Sequence, residues 1–316
     1  MITIPASFQI EERNEIRGGI ENIERAGRTC YKSEDKAGMG KGDKFVKALI
    51  NHHHEAMLEH GDYIFMVDDE HIWDNVFEAL KIARETTGEA PMLEMTKVGH
   101  RPIISGNIRA WRELLSTTAA GGYFSGIIDP LYTTDIREGQ GEWFIDEPDP
   151  RVHRIFYSDL KGRTEKMAHQ RQTVRFIVDR GISHEIVRHR LFSFAQESTR
   201  YCNYSQDKFG NQITVIEPCY LENAHEGRQY WRYACETAER EYFRLLDFGC
   251  TPQEARAVLP TSLKTEIVVT GNLREWQHFF DLRARQVTGP AHPQIVEVAL
   301  PLYEMDKLLM PDVFAD

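Results

Sequence analysis

No stretch of the chain approaches the roughly 20 apolar residues that a membrane-spanning helix needs. The opening MITIPASFQIEERNE lacks the basic and apolar regions of a signal peptide. Cysteine is scarce: five residues, at 30, 202, 219, 235 and 250, odd in number and without a Cys-x-x-Cys pair. That disfavours a disulfide framework or a zinc ribbon and reads as reduced thiols. Basic charge is short too. With 38 lysines and arginines against 49 acids, the formal net charge of −11 argues against wrapping duplex nucleic acid. Small anions held in a local basic pocket remain open. These absences describe a cytoplasmic enzyme or binding protein, and 316 residues can bury one large core or two.

One absence is local. Residues 171–200 contain no lysine, yet hold six arginines (171, 175, 180, 188, 190 and 200) against Asp179, Glu185 and Glu197. Arginine without lysine suggests forked recognition of phosphate or carboxylate, because the planar guanidinium offers paired donors that an ammonium does not. Arg188, His189 and Arg190 are consecutive, followed by Ser198 and Arg200. On a helix three adjacent donors cannot share one solvated stripe, so at least one must face inward. The plainer reading is a surface cluster of arginines paired with acids.

Residues 51–60, NHHHEAMLEH, invite a metal reading that their spacing refuses. His-Glu-x-x-His is missing, since Leu58 stands four residues after His54.

Along the chain, residues 10–27 read as a helix weakened at Gly18-Gly19, and 42–53 and 72–85 as amphipathic helices. Residues 62–67 and 171–178 alternate as strands, and Ser183 can cap the helix carrying Arg188–Arg190. Thr251-Pro252-Gln253-Glu254 is a capping box. Residues 225–247 form a long aromatic-rich helix read as core packing, and 293–309 an amphipathic one. Residues 103–111, IISGNIRAW, are echoed 165 residues later by 268–276, VVTGNLREW. Each is a strand end, a glycine turn and an asparagine N-cap, which suits two related supersecondary units. Residues 116–165 carry turn chemistry (Gly121-Gly122, Asp129-Pro130, Gly139-Gln140-Gly141) and read as a surface insertion.

Arg-His-Arg, seven residues, then Ser resembles the signature of the flavin-dependent thymidylate synthases, and the Ser-Thr-Arg-Tyr run at 198–201 is similar to that family as well. His54, Glu55, Glu59 and His60 fit the family's His-Glu-x-x-x-Glu-His segment. The resemblance covers roughly 10–68 and 171–309. It implies an α+β fold, a mostly antiparallel sheet with helices packed on it, in a single catalytic domain with an insertion within 70–170. It implies reductive methylation of dUMP to dTMP, with FAD as cofactor and NADPH and methylenetetrahydrofolate as co-substrates. It also implies a homotetramer whose sites are shared between chains, with neither nucleic acid nor membrane as partner.

Carried over residue by residue, the resemblance implies that Arg188, His189 and Arg190 hold FAD, Arg188 also lying near the nucleotide. His54, Asn272, Leu273, Arg274 and His278 would contact the flavin. Ser198, Thr199 and Arg200 would bind the dUMP phosphate, with Arg256 reaching the same nucleotide. Arg283 would be catalytic, favouring the ionised pyrimidine. Several positions depart from the pattern. Glu185 stands where a nucleotide-binding glutamine is common and Gln196 where a glutamate is common; both are kept as site residues, Gln196 towards flavin and nucleotide alike. Glu197, also assigned to the nucleotide, replaces an apolar residue, Ala56 a small hydroxyl residue, and His278 an asparagine. The alternatives are a flavin- and folate-dependent methylase or hydroxymethylase of another pyrimidine nucleotide, a non-catalytic nucleotide-binding protein, and a metal hydrolase built on residues 52–60.

Overall fold

The computed structural model describes residues 1–38, 40–140, 144–200, 202–206 and 209–314. Gly141 of the Gly-Gln-Gly turn and Tyr201 of the Ser-Thr-Arg-Tyr run lie outside the described residues.

The amino-terminal part runs β1 (Ile2–Ile4), β2 (Ser7–Ile10), α1 (Ile20–Tyr31), α2 (Gly42–Asn51), β3 (Asp62–Val67) and α3 (Glu70–Thr87). It continues through β4 (Leu93–Val98), β5 (Arg101–Asn107), α4 (Ile108–Thr117), two short helices, α5 (Gly122–Ser125) and α6 (Thr134–Gln140), and β6 (Val152–Ile155). Strands β4-β5-β3-β6 form an antiparallel sheet. Its core is aromatic: Trp111 lies edge-on to Phe65 (centroids 5.0 Å apart) and against Phe124 (4.9 Å). The buried indole N–H is satisfied by the carbonyls of Tyr63 and Gly106, as burial requires.

The remainder runs α7 (Gly162–His169), β7 (Arg171–Asp179), α8 (Arg180–Ile186), β8 (Ser193–Gln196), β9 (Thr214–Ile216), α9 (His225–Asp247) and α10 (Pro252–Ala255). It closes with β10 (Lys264–Asn272), α11 (Leu273–Arg283), α12 (Pro293–Leu309) and α13 (Pro311–Phe314). The second antiparallel sheet has the order β2-β7-β10-β8, and β1 pairs in parallel with β9. Phe176, Trp276, Phe279 and Phe280 fill its core. The fold class is α+β, in two antiparallel sheets where the sequence suggested one.

The echoed segments occupy equivalent places. Asn107 and Asn272 each cap the following helix, Asn107 Oδ1 accepting from Ala110 N and Asn272 Oδ1 from Glu275 N. Asp62 pairs with Asn107 across the first sheet as Arg171 pairs with Asn272 across the second. Ile108 N donates to Gly61 O, and Leu273 N to Gln170 O, each at 3.0 Å. A Cβ on Gly106 would collide with the Leu93 side chain, and one on Gly271 with the Phe192 ring. The halves are therefore two versions of one strand–helix unit facing each other.

Three expectations change. The stretch read as a surface insertion buries Phe124, Ile128, Tyr132 and Val152 in the first core. Just ahead of it, β5 is an interior strand of the sheet; turn residues punctuate the stretch without detaching it. Helix α9 exists as expected, but only Cys235 and Tyr242 are buried along it, while Tyr230 and Tyr233 are 73 % and 69 % exposed. The helix predicted from residue 10 begins only at Ile20, because Gly18 and Gly19 take left-handed conformations (φ 67° and 76°) that break the helical run. Among the described residues no helix is long and apolar enough to cross a membrane.

Candidate active site

Helix α8 is capped by Asp179, whose Oδ1 accepts from Ile182 N at 2.7 Å; Ser183, the expected cap, donates instead to Arg180 O. The helix ends at Ile186, so Arg188-His189-Arg190 lies in the turn beyond it. The inward residue of the three is His189, 9 % exposed, whereas Arg188 and Arg190 face solvent. Neither arginine's side chain has an ion-pair partner among the described residues. His189 rests edge-on to Phe279 at 5.0 Å and to His278 at 6.0 Å.

Arg283, at the end of α11, joins these parts. Its Nε donates to His189 Nε2 at 3.2 Å and its Nη1 to Glu185 Oε2 at 3.0 Å. A ring that accepts from a guanidinium is neutral, and burial, with the Arg283 charge and His278 adding to it, pushes the His189 pKa down to about 4. The expected exchange of Glu185 with Gln196 does not place the two against each other. Gln196 Nε2 donates to Ser183 Oγ at 2.8 Å and Thr265 Oγ1 at 3.2 Å, behind the turn.

The Ser198–Arg200 run follows β8. Ser198 N donates to Cys30 O at 3.2 Å, Arg256 Nη1 donates to Thr199 Oγ1 at 3.0 Å, and Arg200 is exposed. Arg256 thus reaches the run from the capped α10 turn, whose box of Thr251 and Glu254 is present. Glu197 differs from expectation. Its carboxylate is 2 % exposed and bound by Lys264 Nζ at 3.0 Å, so it has no free face for a ligand.

Of the other expected flavin contacts, His278 is exposed beside His189, and Arg274 pairs with Glu94 at 3.1 Å. The Asn272 side chain is spent on its capping box with Glu275. Leu273 is fully buried in the second core and its N–H is bound to Gln170 O, so its side chain serves packing. His54 is exposed and hydrogen-bonds through Nδ1 with Tyr31 OH at 3.0 Å. Among the described residues no group of three or more His, Cys, Asp or Glu side chains could hold a metal.

Five residues that support the site escaped the sequence: Cys30, Tyr31, Lys32, Lys264 and Glu266. The last turn of α1 touches both ends of the site, Tyr31 meeting His54 and Cys30 O meeting Ser198 N. Lys264 and Glu266 point to one side of β10 and meet Lys32 there. Period-two spacing in Lys-Thr-Glu could have flagged the strand pair; nothing local flags Lys32.

A family model described as thymidylate synthase complementing protein matches residues 151–312. The flavin-dependent thymidylate synthase of Geobacter sulfurreducens is 33 % identical over 139 residues, 44 % of this chain and 57 % of that one. The chain thus spans little more than half the length of that relative. The enzyme of the same name from Corynebacterium efficiens is 31 % identical over 186 residues, 54 % of this chain and 73 % of the relative. A UMP/dUMP methylase of Streptomyces cacaoi, solved with 5-Br dUMP, aligns with 99 % of this chain and 94 % of its own at TM-score 0.43 and 16 % identity. With half of its length matched by the family model, the Arg-His-Arg turn included, the chain belongs to the thymidylate synthase complementing protein family.

Proposed function

We propose that the chain is a flavin-dependent thymidylate synthase, methylating dUMP to dTMP as one catalytic domain. The observation that carries this reading is the Arg188–Arg190 turn, where two solvent-facing arginines flank a buried neutral His189 held by Arg283. That donor set fits FAD: the solvent-facing guanidiniums of Arg188 and Arg190 suit its pyrophosphate, and the exposed His278 beside His189 suits a ring system. The flavin supplies the reducing electrons, with NADPH and methylenetetrahydrofolate as co-substrates.

The chain's own residues bind and orient. Arg256, Thr199, Ser198 and Arg200 form a donor-rich edge for the nucleotide phosphate. Arg283 sets its guanidinium between Glu185 and His189, where it stabilises negative charge developing on the pyrimidine. His54 would meet the flavin from the far end of α1's last turn. No nucleophilic side chain is required, which accords with a site rich in arginine. The same reading includes a homotetramer with sites shared between chains.

The test is product formation by the purified protein from dUMP, dCMP and UMP offered together. Methylated product from dUMP, dependent on both NADPH and methylenetetrahydrofolate, is expected. Product made without the folate, or from UMP alone, overturns the reading.

A further inference from the structure

Glu197 sits in the position directly before the Ser198–Arg200 run, and its side chain is buried, 2 % exposed. Lys264 Nζ lies 3.0 Å from Glu197 Oε2 and also binds Glu266 Oε1. Lys32 reaches the same two acids, Glu266 Oε1 at 2.6 Å and Glu197 Oε2 at 3.7 Å. Two lysines and two glutamates close a square that is neutral overall and largely buried, with side-chain exposures between 2 % and 16 %. Arg175 extends it, meeting Glu266 Oε2 at 3.7 Å and Glu11 Oε1 at 2.8 Å.

The square joins three segments distant in sequence. Lys32 is the left-handed C-cap of α1 (φ 48°), a conformation that a side chain with a Cβ adopts only when its surroundings hold it. Lys264 and Glu266 belong to β10, and Glu197 leaves β8 with its N–H bound to Glu266 O at 2.8 Å. Burial alone would raise the Glu266 pKa, but Lys264 and Lys32 outweigh it and hold it at about 2. Glu266 is therefore ionised at neutral pH. With Glu197 pinned inward, the next residues have their directions fixed: Ser198 N goes to Cys30 O, Thr199 Oγ1 accepts from Arg256, and Arg200 points outward.

We infer that the Lys32–Glu197–Lys264–Glu266 square is a positioning device for the phosphate-binding run 198–200, and that Glu197 acts on the nucleotide through that run without touching it. The inference rests on the reading of the site as a dUMP site. Buried charge pairs are favoured where they fix one geometry more than where they add stability, since desolvation offsets most of the attraction.

The test compares the flavin-loaded wild-type protein with Glu197→Gln, titrating dUMP by calorimetry and measuring KM, kcat and flavin content. The expected result is a dUMP Kd and KM raised about tenfold, with kcat at saturation and flavin content retained. Should Glu197→Gln not fold, the double variant Glu197→Gln/Lys264→Gln removes one charge of each sign; it is expected to fold and still show the raised KM. An unaltered dUMP Kd in either folded variant, even with a lowered Tm, overturns the inference alone. Failure of the wild-type protein to bind dUMP overturns the reading of the site itself.

Discussion

His60 Nδ1 lies 2.8 Å from Thr270 Oγ1, and the contact recurs with the halves exchanged, His169 Nδ1 lying 2.7 Å from Ser105 Oγ. Each histidine stands two residues before the first strand of its own unit and bonds to the hydroxyl two residues before the capping asparagine of the other. Both rings are buried, and this crossed pair ties the two sheets together.

The crossed pair predicts a pH dependence of stability. Burial, with nearby arginine charge adding to it, depresses the pKa of His60 to about 3 and of His169 to about 4, from an ordinary 6.5. The unfolded chain therefore takes up protons that the folded chain refuses. The stability that follows is complete above pH 6.5 and is lost as pH falls towards 4 and 3. Urea unfolding at pH 5 and 7.5 should show a shallower loss for His169→Gln than for wild type. Parallel losses would show that the ring is protonated in the folded state.

The two equivalent glycines should differ in their tolerance of alanine. At Gly271 a Cβ meets Phe192, a ring 5 % exposed and packed 4.6 Å from Trp276, which has nowhere to go. At Gly106 it meets the end of the partly exposed, flexible Leu93 side chain. Gly271→Ala is expected to cost about 1–3 kcal/mol of unfolding free energy and Gly106→Ala less than about 1. Denaturant melts of the two variants decide it, and equal costs would contradict the predicted difference.

Strong local patterns were legible before the structure. The Gly-Asn-x-Arg echo gave the repeated unit because it contains its own strand end, cap and tryptophan, although its glycines lie within β5 and β10 and not in a turn. The alternation in 62–67 and 171–178 gave β3 and β7. The Thr251–Glu254 box gave the turn that presents Arg256. What stayed hidden depends on tertiary partners. Turn residues in 116–165 say where the chain bends and nothing of what Phe124 or Tyr132 packs against. Tyr230 and Tyr233 on α9 look like part of a core stripe, yet they lie in solvent. The partners of Glu197 are 165 and 67 residues away along the chain, beyond any local period.

Asp306 should oppose the histidines. Its carboxyl is fully buried, Oδ1 accepting from Gln172 Nε2 at 2.8 Å while Oδ2 has no hydrogen-bond partner among the described residues. Burial pushes its pKa up to about 7 from 3.8, so the folded chain keeps a proton that the unfolded chain has released. Its contribution is present below pH 4 and is lost as pH rises towards 7. Asp306→Asn, which cannot ionise, should gain on wild type as pH rises from 5 to 8. Thermal melts across that range test this, and a constant difference would contradict it.

The Arg283 guanidinium, bonded to His189 and Glu185 at once, makes the last prediction. Arg283→Ala removes a positive charge beside His189, so the ring, now held near 4 by burial and by that charge, should titrate at higher pH. Lysine cannot span both partners, since an ammonium lacks the planar fork, so Arg283→Lys should restore the charge effect on His189 and little of the catalysis. If the guanidinium stabilises charge developing on the pyrimidine, kcat should fall about a hundredfold in both variants. Histidine ring resonances followed by NMR across pH 3–8 separate the two roles. An upward shift in the alanine variant alone, with kcat lost in both, fits the geometry. Retained turnover in the lysine variant would reduce Arg283 to a fixed charge beside His189.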